Sequence, residues 1–141
     1  MDKFVKDLIN TYHTRDPFVL AKCLGIHVKF EDLGRLNGYY HEVNGVKVIA
    51  LNQGLDEHDA RFTAAHELGH ALLHEGVNVL FLNAYTEYST GTLEREANVF
   101  AAFLLITDEE VEDSKNLSVP QIMEMYGFGE QLVFDRFVSM Y

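Results

Sequence analysis

His66-Glu67-Leu68-Gly69-His70 sets two imidazoles four residues apart, with a carboxylate directly after the first. On a helix, positions four apart share a face, so His66 and His70 can turn two ring nitrogens toward one metal ion. Glu67 then stands within reach of a water on that ion. Two neutral nitrogen donors beside a base form the recurring arrangement of zinc hydrolases. The bland alternative is a pair of ordinary polar residues on a helix surface, and the setting argues against it. Asp56 is a candidate N-cap, and Glu57 and Asp59 favour the positive end of a helix that starts there. Phe62, Ala65, Leu68, Leu72 and Leu73 recur at helical spacing, and no proline interrupts residues 56–75. The motif therefore falls inside a helix, as its chemistry requires.

A catalytic zinc site takes a third protein ligand and leaves a fourth position open. His74 continues the stripe of His66 and His70, but one further turn lies about 6 Å along the axis, out of reach of the same ion on a straight helix. It suits a supporting or rim position better. A second run, residues 93–106, is apolar nearly all round from Ala97 and predicts a buried helix. Glu94, Glu96 and Asn98 stand at its start, and polar groups there need a reason. Glu94 and Asn98 are four apart and share a face, which suits a metal ligand and a residue that hydrogen-bonds a ligating histidine. Glu96 projects about 160° away from Asn98. Glu94 is accordingly preferred as third ligand, with Glu96 as the alternative; the two acids also favour the helix dipole whatever else they do.

These residues need a scaffold, and the rest of the chain predicts one. Residues 2–12 read as an amphipathic helix with Phe4, Val5, Leu8 and Ile9 inward. Asp16 caps a second helix with Pro17 in its first turn; Phe18, Leu20, Ala21 and Leu24 fill its apolar face, and Gly25 ends it. Residues 26–30 alternate like a short strand. Residues 36–43 and 46–51 flank Asn44-Gly45, a strong hairpin signal. A sheet of about three strands thus precedes the metal helix. Residues 76–92 form a long connection, which suggests a functional loop with an edge strand for an extended substrate. Its Tyr85 and Tyr88 are candidate oxyanion donors, although simple packing or exposure is the more ordinary explanation of either. Thr107 with Glu110, and Ser118 with Gln121, read as capping boxes of two further helices, and a last helix spans 130–138. His13, His27, His41 and His58 lie scattered and are read as non-ligands.

With these pieces in place, the chain resembles the ImmA/IrrE family of metallopeptidases. The resemblance rests on Arg61-Phe62-Thr63-Ala64-Ala65-His66-Glu67-Leu68-Gly69-His70-Ala71-Leu72-Leu73-His74 and on Glu94-Arg95-Glu96-Ala97-Asn98-Val99-Phe100-Ala101-Ala102. It extends over about residues 20–106. It implies His66 and His70 as zinc ligands, Glu94 as the third, and Glu67 as general base, in the manner of thermolysin-like zincins. One departure is visible: family members commonly leave the second helix through Leu-Met-Pro, whereas this chain runs Leu105-Ile106-Thr107. The resemblance also implies a substrate class. Phage and mobile-element members inactivate a helix-turn-helix repressor by proteolysis, acting as anti-repressors.

Composition bounds the remaining choices. The 141 residues are 48% apolar and 12% aromatic, values of a folded chain with a proper core. We expect one zincin-like domain over residues 1–141, α+β in class, its small antiparallel-containing sheet packed on a helical core with C-terminal helices following. The N-terminal residues carry no secretory pattern, and no apolar run reaches membrane-spanning length. The single cysteine, Cys23, forms no internal disulfide and is expected to be a buried, inert thiol in a cytoplasmic protein. A net charge of −11 without a basic patch excludes direct nucleic-acid binding. The run Asp108-Glu109-Glu110-Val111-Glu112-Asp113 reads as a solvated face, with steering toward a basic partner as the functional alternative. The expectation is a zinc endopeptidase acting on a repressor protein, its oligomeric state open. Two rivals come from other classes: a zinc-stapled protein that binds the repressor without cutting it, and a toxin–antitoxin component. The intact Glu67 argues against a purely structural metal.

Overall fold

The structure, a computed structural model, describes residues 1–74 and 91–138. Among them are seven helices and three strands: α1 (Asp2–Tyr12), α2 (Pro17–Cys23), β1 (His27–Glu31), β2 (Gly38–Val43), β3 (Val46–Asn52), α3 (Glu57–Leu73), α4 (Gly91–Leu105), α5 (Asp108–Asp113), α6 (Val119–Tyr126) and α7 (Glu130–Val138). The chain is α+β and mostly helical, as expected. No helix among the described residues is long and apolar enough to cross a membrane. The connection carrying Tyr85 and Tyr88 lies outside the described residues, and so does its expected edge strand.

The local signals explain most boundaries. Asp16 accepts from the backbone N–H of Phe18 and Val19, opening α2 at Pro17. Asp56 accepts from the Asp59 N–H at 2.8 Å and opens α3. Both capping boxes form, at Thr107/Glu110 and at Ser118/Gln121. Asn44 and Gly45 take φ of 50° and 80°, the left-handed pair that a two-residue turn between twisted strands requires. β2 and β3 pair antiparallel through that turn. β1 pairs parallel to the other side of β3, giving the order β1-β3-β2.

The sheet and α2 pack on α3, and α3 packs on α4. Leu20, Ile49, Leu51, Leu68, Phe100 and Leu104 are fully buried in one cluster between these layers. Each such side chain contributes about 1.5–3 kcal/mol by leaving water. α3 and α4, the two helices with the polar motifs, are thus the innermost helices of the fold.

The exit of α4 is held by two arginines. Arg15 Nη1 donates to the Phe103 and Leu104 carbonyls at 3.0 and 3.1 Å. Arg136 Nε donates to the Ile106 carbonyl at 3.0 Å, and its guanidinium lies 4.4 Å from the centre of the Phe103 ring. Cations at the negative end of a helix satisfy its last carbonyls, so the Leu105-Ile106-Thr107 exit is closed without a proline.

Two expectations fail. Cys23 is exposed, not buried. α2 buries Pro17, Leu20 and Ala21, and Cys23 falls about 110° from the middle of that face at 100° per residue. Phe4 is 40% exposed; only Val5 of α1 is buried, while the Phe4 ring meets Phe100 edge-on at 6.2 Å.

Candidate metal centre

His66 and His70 lie one turn apart on α3, and α4 runs past them closely. Gly69 sits at the crossing. A Cβ added there would stand 3.1 Å from Phe100 Cδ1 and 3.2 Å from Ala97 Cα, so a side chain would hold the helices apart. This close approach brings Glu94 and Asn98 onto the histidines. Glu94 Oε1 lies 2.7 Å from His70 Nε2, and Glu94 Oε2 lies 3.2 Å from His66 Nε2. One ligand atom from each of the three residues falls within 4.8 Å of the others. Among the described residues, His13, His27, His41 and His58 take no part in this cluster.

The outer ring nitrogens are also committed. His66 Nδ1 donates to Asn98 Oδ1 at 2.7 Å. His70 Nδ1 meets His74 Nδ1 at 2.8 Å, and His74 Nε2 meets Glu96 Oε2 at 2.8 Å. His74 thus stands behind His70, as the turn-by-turn rise demands. Glu96, the alternative third ligand, is not in the cluster. Helical phase does turn it away from Asn98, but toward His74.

With Nδ1 carrying the proton, the His66 Nε2 presents a lone pair toward a carboxylate. Lone pairs and a carboxylate converging on one point repel unless a cation lies between them, either a proton on the imidazole or a metal ion. The donor set fits a divalent ion: two imidazoles, one carboxylate, and ring orientations fixed from behind.

Burial and charge tune the same groups. Burial works against a charge on His66, yet the hydrogen bond to Glu94 and the charges of Glu67 and Glu94 raise its pKa above the ordinary imidazole value. Burial lowers that of His70, with the Glu94 hydrogen bond opposing. Hydrogen bonds from both histidines hold the Glu94 carboxyl well below the usual carboxylate range. Glu67 is buried on the sheet side of α3, and burial pushes its pKa up to about 7, although the charge of His66 and a backbone hydrogen bond from Tyr40 oppose this. A carboxylate near neutrality is matched to moving protons in both directions. Glu67, His66 and Glu94 share one cleft of about 360 Å³, which Arg35 and Asn37 also line from the loop before β2. Neither Arg35 nor Asn37 carries a motif that spacing alone reveals.

Residues 21–136 match the Peptidase_M78 family, described as the IrrE N-terminal-like domain. The chain is 37% identical over 113 residues to uncharacterized immunity region protein 2 of Bacillus phage phi105, covering 79% of this chain and 72% of that protein. It is 28% identical over 112 residues to the metallopeptidase ImmA of Bacillus subtilis strain 168, covering 78% of this chain and 65% of that one. It is 36% identical over 93 residues to the radiation response metalloprotease IrrE of Deinococcus deserti, covering 63% of this chain and 32% of that one.

Proposed function

The chain belongs to the IrrE N-terminal-like family of metallopeptidases, and on that premise we propose that it is a zinc-dependent endopeptidase that cleaves a helix-turn-helix repressor. The observation that carries the reading is the convergence of His66, His70 and Glu94 from two helices, with the buried Glu67 opening onto the same cleft.

His66 and His70 through Nε2, and Glu94 through its carboxylate, would hold the ion. When bound, zinc supplies Lewis acidity, which acidifies water and polarises a carbonyl. Glu67 takes the proton from the attacking water and delivers it to the departing amine. Burial, which disfavours the ionised form, helps one carboxyl serve as base and then as acid. Asn98 fixes the His66 ring by accepting from Nδ1. The repressor as substrate is supported by the immunity-region name of the phage relative. The charge of −11 supports a basic partner, since opposite charge speeds encounter. A cytoplasmic setting and a single catalytic domain belong to the same reading.

Incubation of the zinc-loaded chain with purified helix-turn-helix repressors from the same genome, followed by mass spectrometry, tests this. We expect two fragments summing to the repressor. An intact repressor held in a stable complex would instead mean a binder that does not cut.

A further inference from the structure

We propose that Glu96 and His74 form a positioning relay behind His70, fixing that ring with its Nε2 lone pair toward the ion. The inference rests on the site reading above and extends it to two residues outside the ligand set. His70 Nδ1 and His74 Nδ1 face each other at 2.8 Å, so one of them carries the proton and the other accepts. Beyond them, His74 Nε2 meets the Glu96 carboxylate at 2.8 Å. An ionised carboxylate only accepts, so His74 places its proton on Nε2. With the ion at His70 Nε2, in place of a proton shared with Glu94, neutral His74 has a bare Nδ1 and His70 must be the donor. The order of donation follows as His70 Nδ1–H to His74, then His74 Nε2–H to Glu96.

The His70 proton is thereby held on the far side of the ring, and Nε2 is left to bind. The His70 and His74 side chains are 3% and 4% exposed, so water does not substitute for these bonds. His66 reaches the same tautomer through one neutral acceptor, Asn98. His70 reaches it through an imidazole backed by a carboxylate. Such supporting groups both orient a ligating ring and raise its basicity. Glu96 is thus a positioning residue that acts only through His74.

The test measures zinc affinity by chelator competition, together with the visible absorption of the Co2+-loaded chain. Glu96 is half-exposed, so Glu96→Ala leaves the fold intact. We expect Glu96→Ala to weaken zinc binding about tenfold to hundredfold and to change the cobalt spectrum. Glu96→Gln, which keeps an acceptor and loses the charge, recovers part of that loss. In a His74→Phe background, Glu96→Ala has no further effect. Zinc affinity for Glu96→Ala within about threefold of the parent, with an unchanged spectrum, would overturn the relay. An equal loss with and without His74 would overturn it too, marking Glu96 as a mere tie between helices. Glu94→Ala separates the two readings. Zinc binding that needs Glu94 and ignores Glu96 removes only the relay; zinc binding that ignores Glu94 removes the site itself.

Discussion

In the proposed reaction Glu67 is the residue on which the chemistry turns, because its carboxyl is buried yet borders the cleft. Replacing it by Gln keeps the shape and an acceptor for the Tyr40 backbone, but removes the proton carrier. Glu67→Gln is therefore expected to retain zinc at the wild-type stoichiometry while cleavage falls about 10²–10⁴-fold, read by metal analysis and a timed digest. Wild-type cleavage by this variant would remove Glu67 from the base role. At this scale the pattern of spacing was informative. Two histidines four apart, and a Glu and an Asn four apart, each name one face of one helix, and the two faces meet. Glu96 was weighed only as an alternative ligand; its contact with His74 escaped because His74 caps the other helix, and phase along one helix says nothing about what stands opposite. Arg35 and Asn37 escaped for a related reason: loop residues have no period to betray them.

The helices meet closely because α3 carries Gly69 where α4 presents Ala97 and Phe100. A β-branched side chain there must push α4 outward and carry Glu94 with it. Gly69→Val is expected to destabilise the fold by about 1–3 kcal/mol and to cost zinc affinity as well, by denaturant titration and chelator competition. Unchanged values would mean that the crossing tolerates separation. Elements with local causes were readable in advance: the caps at Asp16, Asp56, Thr107 and Ser118, and the Asn44-Gly45 hairpin. The parallel pairing of β1 with β3 was not, since no turn links the two and their register comes from packing across the layer. Cys23 shows the limit of reading composition without phase. Its helix is apolar in content, but the buried side of α2 ends short of it.

Over the whole chain the acids do more than keep it in solution. Asp108 pairs with Lys6 of α1 and with the buried Arg136 of α7, tying both ends of the described fold to α5. The hydrogen bond from Lys6, and the charges of Lys6 and Arg136, hold the Asp108 carboxyl below its ordinary value. A depressed pKa means stability present above the unfolded value of about 3.9 and lost as pH falls through the folded one. Asp108→Asn should therefore melt below the parent at neutral pH, and the gap should close as pH drops from about 5 toward 2. A gap independent of pH would assign the effect to something other than this charge. The central claim is that three side chains from two helices share one ion. An anomalous difference map from zinc-loaded crystals, collected at the zinc edge, tests it most directly. The account predicts one strong peak bounded by His66 Nε2, His70 Nε2 and the Glu94 carboxylate. A map without a peak there, or with its peak at other residues, would contradict it.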